Sequence, residues 1–182
     1  MDWEELEKFC RTCTRCPLYS GRNNIVIGRG SKNAKLLFVG EGPGEQEDLQ
    51  GKPFVGPAGQ LLDEFLKACM FEDDSYYIAN IVKCRPPSNR VPTKEEAETC
   101  LPFLRQQFKL INPKIVVCFG NTALTYVMEK GAKITKIRGQ WVEKKGVYFL
   151  ATYHPSALLR DPTKRIDTFQ DLKKVKLMIS QL

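Results

Sequence analysis

The sequence predicts an α/β fold: a single three-layer α/β/α domain with a central, mostly parallel four-stranded sheet. Three observations carry that prediction. Short apolar runs recur at Leu36 to Val39, Tyr77 to Val82, Ile115 to Phe119 and Val147 to Thr152. Segments with apolar residues at helical spacing lie between them, and strict alternation of the two element types is what consecutive βαβ units require. The 182 residues suffice for one well-filled core and contain no linker, repeat or low-complexity tract, so residues 1–182 are expected to form one domain.

Taken in order, the chain opens on a helix whose apolar face includes Cys10. The first strand, Leu36 to Val39, is apolar enough to be buried on both faces, and it runs into Gly40-Glu41-Gly42-Pro43-Gly44-Glu45-Gln46-Glu47-Asp48. Three glycines in five residues let the backbone turn tightly and approach a ligand with its amides free. Glu41, Glu45, Glu47 and Asp48 would repel phosphate, which argues against a nucleotide cradle. Gly51 to Pro57 follows, a Gly/Pro-rich loop that holds the flat ring of Phe54. Ala58 to Ala68 has helical spacing. The second strand, Tyr77 to Val82, contains Asn80, whose amide must find partners if the strand is buried.

Thr93 with Glu96 makes a capping box at the head of a helix that reaches Leu110. The third strand, Ile115 to Phe119, carries Cys118 as a small core residue and leads into a helix over Asn121 to Lys130. The fourth strand, Val147 to Thr152, ends just before His154, the only histidine, which opens His154-Pro155-Ser156-Ala157-Leu158-Leu159. A last helix covers Thr163 to Leu182. In a parallel sheet the loops after all four strands open on one edge, where such folds bind ligands. That edge would gather the Gly40 loop, Asn80 and His154.

The formal charge is +7, and the excess is C-terminal: residues 92–182 hold 16 Lys and Arg against 8 Asp and Glu, whereas residues 1–91 hold 12 against 13. Such a surplus suits a polyanionic partner. No apolar stretch approaches a membrane span and the first residues are too acidic for a signal peptide, so a cytoplasmic protein is expected.

Seven cysteines in an intracellular protein point to metal ligation rather than disulfides. Cys13 and Cys16 have chelating spacing, and Cys84 and Cys100 stand in polar, Pro-rich surroundings; Cys69 and Cys118 read as core. Cys10 leaves a second pairing open, with Cys13, although its place on the apolar face of the helix favours the Cys13/Cys16 pair. Four thiolates hold zinc or an iron–sulfur cluster, and one close pair with two distant partners favours the cluster.

These motifs together resemble family 4 uracil-DNA glycosylases, the iron–sulfur branch of the uracil-DNA glycosylase superfamily. The resemblance spans nearly the whole chain and rests on Cys13 to Leu18, the Gly40 to Asp48 box, Gly51 to Pro57, Asn80 to Pro87 with Asn89, Arg90 and Cys100, and the His-Pro-Ser segment at His154. It implies a 4Fe-4S cluster on Cys13, Cys16, Cys84 and Cys100, with a structural task. It implies an enzyme of base excision repair that flips uracil out of DNA and hydrolyses its N-glycosidic bond, leaving an abasic site and free uracil.

The implied roles fall on matching positions. Phe54 would stack on the base, Asn80 would read its edge, and His154 would stabilise the departing uracil anion with help from backbone amides around Gly40 and Gly42. Better-known members of the superfamily place an aspartate where this chain has Gly42, so the catalytic carboxylate is expected to be Glu41 or Glu47, with Glu41 favoured. They also exclude thymine with a tyrosine where this chain has Gly44, which makes Glu47 the expected steric gate. Leu158 matches the residue that wedges into the duplex. The partners expected are uracil-containing DNA, single- or double-stranded, with the protein working as a monomer at the nucleoid.

Overall fold

Along the inner strands burial does not alternate. Every residue of β2 (Leu36–Gly40), β3 (Tyr76–Asn80) and β4 (Ile115–Phe119) is buried, the pattern of strands covered on both faces. In this computed structural model, which describes residues 1–182, they align with β6 (Val147–Thr152) as four neighbouring parallel strands. Two short strands add antiparallel edges, β1 (Arg29–Gly30) beside β3 and β5 (Val142–Lys144) beside β6, in the order β1-β3-β2-β4-β6-β5.

The sheet therefore has six strands rather than the four expected. The two extra ones are two and three residues long, are polar or half-exposed, and give no readable period. Their charges, Arg29 at one edge and Glu143 and Lys144 at the other, discourage further strand pairing.

Successive strand residues face opposite layers. Leu37, Val39, Ala79, Val116, Cys118 and Ala151 belong to one core with Leu6 of α1 (Trp3–Arg11) and Leu101 and Leu104 of α4 (Lys94–Ile111). Leu36, Phe38, Ile78, Val117 and Leu150 belong to the other, with Leu62 and Leu66 of α3 (Pro57–Ala68) and Leu172 and Val175 of α8 (Arg165–Ser180). The α/β/α expectation is met, and the capping box of Thr93 and Glu96 starts α4 as the sequence indicates.

Short helices occupy the connections: α2 (Glu45–Gln50), α5 (Gly120–Ala123), α6 (Ile134–Ile137) and α7 (Pro155–Arg160). The single helix expected over Asn121 to Lys130 is instead α5 followed by a π-helical turn, Leu124–Met128. From the central β2 the chain crosses first to β3 on one side and later to β4 on the other. The crevice at the carboxyl ends of β2 and β4 is thus the switch point at which parallel sheets bind ligands.

Candidate active site

Gly40 and Asn80 end β2 and β3 directly opposite one another. The Asn80 side chain is 2% exposed, and its Oδ1 is the one buried side-chain nitrogen or oxygen in the protein with no hydrogen-bond partner. A buried carbonyl left unpaired costs stability, so it marks a place where an external donor is expected. A Cβ at Gly40 would stand 2.4 Å from Asn80 Oδ1 and 2.6 Å from Phe54 Cζ. Glycine is therefore required for the amide and the ring to converge over this strand end.

Phe54 reaches that point from a strained loop. Its φ is +54°, a left-handed conformation uncommon for an aromatic residue. The loop lies so close to α3 that a Cβ at Gly59 would fall 2.0 Å from the Phe54 carbonyl carbon. The Phe54 ring also stacks on the imidazole of His154, with centroids 5.5 Å apart and planes 29° from parallel. Phe54 thereby joins the two strand-end residues, Asn80 and His154, into one site.

His154 caps α7. Its Nδ1 accepts a hydrogen bond from the Ser156 backbone N–H at 3.1 Å, with Ser156 Oγ 2.8 Å away. A ring nitrogen that accepts carries no proton, so the neutral ring holds its hydrogen on Nε2. The ring keeps some surface contact, yet the dense protein around it, aided by the positive charge of Arg160, lowers its pKa from 6.5 to about 4. Gly120, at φ +83°, gives the ring its space, because a Cβ there would lie 3.0 Å from His154 Cβ.

Glu41 spans the switch point: its Oε2 accepts from the Thr122 hydroxyl of α5 at 2.5 Å. Gly42 leaves no room for a side chain, since a Cβ would sit 2.7 Å from Val82 Cγ2. A carboxylate at position 42 is thereby excluded, and Glu41 is the acidic residue beside it. Thr122, Ser156 and Gly59 all shape the site, and none has a sequence signal apart from Ser156 in its His-Pro-Ser run.

Two expected residues are placed differently. Both carboxylate oxygens of Glu47 are committed to backbone amides, Oε1 to Gly44 N at 3.0 Å and Oε2 to Val55 N at 3.0 Å and Gly56 N at 2.6 Å. Instead of a free group that faces a base, Glu47 is a clamp between the glycine-rich turn and the Phe54 loop. Leu158, expected as a wedge, is 0% exposed within the core, because the phase of α7 turns it inward. Its neighbour Leu159 is 43% exposed. Beside it Arg165 donates to the Leu158 carbonyl at 3.2 Å and Lys164 lies 5.0 Å over the Tyr153 ring, which leaves this rim basic.

At the far end of the β3 connection, Cys13, Cys16, Cys84 and Cys100 line one recess with Arg15, Arg22 and Lys83. Arg22 ties its walls together, donating to the Cys13 carbonyl at 2.8 Å and to Cys84 Sγ at 3.4 Å. Burial raises the thiols of Cys16 and Cys84 and pushes Cys100 up to about 11. Cys10, on the buried face of α1, is a neighbour of Cys13, Cys84 and Cys100 but is not among the side chains that line the recess. No three His, Cys, Asp or Glu side chains stand close enough together to hold a single metal ion.

Residues 27–176 match the family model of the Uracil DNA glycosylase superfamily. Among curated proteins, the chain is 44% identical over 177 residues to a Type-4 uracil-DNA glycosylase of Thermotoga maritima, an alignment covering 94% of this chain and 91% of the relative. A Type-4 uracil-DNA glycosylase of Sulfurisphaera tokodaii is 41% identical over 182 residues, covering 95% and 83%. One from Archaeoglobus fulgidus is 38% identical over 180 residues, covering 94% and 90%. With a family model matched over most of its length and relatives this similar over nearly all of it, the protein belongs to the uracil-DNA glycosylase superfamily.

Proposed function

We propose that the chain, working over residues 1–182 as one unit, flips uracil out of DNA and hydrolyses its N-glycosidic bond, releasing free uracil and leaving an abasic site. The observation that carries this reading is the unpaired, buried Oδ1 of Asn80 beside the Phe54 ring. Uracil offers that amide an N3–H donor for Oδ1 and an O4 acceptor for Nδ2. Cytosine presents an unprotonated ring nitrogen and an amine, so donor would meet donor and acceptor would meet acceptor in a buried place. Mismatched buried polar groups discriminate strongly. Phe54 supplies the flat surface against which the base lies.

In the reaction the N1–C1′ bond breaks with its electron pair going to the base. Negative charge gathers on uracil O2 and positive charge on the sugar. The Nε2–H of His154 donates to O2, and it does so as a neutral imidazole set in place beforehand by Ser156. Amides of the Gly40 to Gly42 turn add donors nearby. Glu41, held by Thr122, orients water toward C1′ and takes its proton; the new C1′–O bond replaces the N1–C1′ bond, and the proton passes from Glu41 through solvent to N1 of the departing anion, so that the products are uracil and a deoxyribose hemiacetal.

Cys13, Cys16, Cys84 and Cys100 would hold a 4Fe-4S cluster, which supplies cross-linking of the N-terminal segment, the loop after β3 and α4 rather than redox chemistry. The donor set suits it: four thiols, no carboxylate or imidazole, and cationic Arg22 and Lys83 to balance a thiolate-rich body. The basic rim around Leu159, Arg160 and Lys164 is where the DNA strand would lie.

The test is to incubate purified protein with an oligonucleotide holding one uracil and to quantify free base by chromatography. Release of uracil, with none from the cytosine or thymine counterpart, supports the reading. Tight binding of the oligonucleotide without any base release would replace it with a noncatalytic nucleic-acid-binding module.

A further inference from the structure

We infer that Arg29 is a positioning residue for base recognition: its guanidinium sets the height of the Phe54 ring relative to Asn80. This rests on the reading of Phe54 as the surface on which the base stacks.

Three acceptors from two parts of the chain, the Phe54 loop and α3, converge on this one side chain. Nε donates to the Pro53 carbonyl at 2.9 Å, and Nη2 donates to the Phe54 carbonyl at 3.3 Å and to Asp63 Oδ1 at 2.8 Å. Pro53 and Phe54 are consecutive, and the left-handed backbone at Phe54 leaves both carbonyls within reach of one planar group. A guanidinium answers that arrangement because its N–H groups are fixed in a fork, whereas an ammonium is a single point of charge. Asp63 lies on α3, the helix that passes beneath the loop at Gly59, so the ion pair fastens loop and helix at a second point.

The location of Arg29 couples the loop to the base-reading strand. Arg29 is on β1, paired with Ile78 of β3, two residues before Asn80. The guanidinium is thus anchored to the same strand as the amide that reads the base, while it grips the loop that carries the ring. Without it, the strained backbone at Phe54 has lost the contacts that hold it in a left-handed conformation, and the ring is free to move away from the Asn80 end of the site. The stack contributes to binding before and during bond cleavage alike, so its loosening raises KM and leaves kcat nearly unchanged.

The experiment measures kcat and KM on a single-stranded uracil oligonucleotide for wild type, Arg29→Ala, Phe54→Ala and the double variant, with melting temperatures of all four. Arg29→Ala is expected to raise KM about tenfold, part of what a stacked base contributes. It should add no further increase in the Phe54→Ala background, a coupling that a general folding defect would not produce. Guanidinium at millimolar concentration should restore KM in Arg29→Ala, and Arg29→Lys should fall between wild type and Ala. Should Arg29→Ala fail to fold, Asp63→Asn, which removes one of the three anchors, is expected to give a smaller KM increase with the same dependence on Phe54. An unchanged KM in these variants while Phe54→Ala raises it would overturn the role of Arg29 alone. An unchanged KM in Phe54→Ala would overturn the stacking assignment beneath it.

Discussion

The backbone N–H of Ser156 points at His154 Nδ1 from 3.1 Å, and this contact decides that the proton of the neutral ring sits on Nε2. Burial with the nearby Arg160 charge brings the imidazole pKa to about 4, so the ring is a neutral donor throughout the physiological range. The pH profile of kcat/KM is therefore expected to show no inflection near 6.5, where an ordinary histidine titrates, and to fall only as the pH nears 4. Stability follows with a definite sign. The unfolded chain takes up a proton at higher pH than the native one, so the contribution is level above 6.5 and stability declines as the pH drops from there toward 4. An activity limb centred near 6.5 would mean that the charged ring participates.

Gly40→Ala places a methyl carbon 2.4 Å from Asn80 Oδ1 and 2.6 Å from the Phe54 ring edge. One or both must shift by roughly an ångström, a displacement that costs about a hundredfold in rate. Steady-state excision assays should show that loss. The circular dichroism spectrum should remain that of the wild type, because the clash lies at the strand end. Activity within a few-fold of wild type would show that the amide and ring do not need their present closeness.

The two adjacent leucines of α7 differ in burial, so their substitutions should have different effects on stability and on excision. Leu158→Ala empties a fully buried core position and should lower stability by about 2 to 5 kcal/mol, read from denaturant or thermal unfolding. Leu159→Ala should leave stability alone but slow excision from duplex DNA more than from single strands, since only the duplex must be unstacked. Equal effects of Leu159→Ala on both substrates would show that this exposed leucine takes no part in opening the duplex.

Iron content distinguishes the cysteines. Replacing Cys13, Cys16, Cys84 or Cys100 with Ala should abolish iron binding and the brown colour of anaerobically purified protein, and lower the melting temperature as three segments lose their cross-link. Cys10→Ala and Cys118→Ala should retain iron, because both side chains are buried in the core and neither lines the recess. A colourless protein with bound zinc and full activity would contradict the cluster assignment.

The four inner strands were legible because burial on both faces writes an unbroken apolar run, and β4 and β6 have the limits that the sequence indicates. The edge strands were not, since two or three polar residues carry no period; the π-helical turn after α5 was hidden too, because one extra residue per turn does not disturb an apolar pattern five residues long. At the site, Asn80, Phe54 and His154 stood out as polar or aromatic residues where strands end or glycines cluster. Glu47 and Leu158 did not reveal their actual placement. Whether a carboxylate is free or bound to amides eight and nine residues away depends on loop closure, and the phase of a six-residue helix cannot be read from two consecutive leucines. Thr122 and Glu41 are 81 residues apart in sequence, a contact that only the sheet order creates.

Single-turnover excision of uracil by wild type, Asn80→Ala and His154→Ala, paired with DNA-binding measurements on the same proteins, is the most direct test of a pocket built from those two side chains. Wild type should release uracil, and each variant should be slower by about two to three orders of magnitude while it still binds the oligonucleotide. Excision at wild-type rates in either variant, or no uracil release by the wild type itself, would contradict the account.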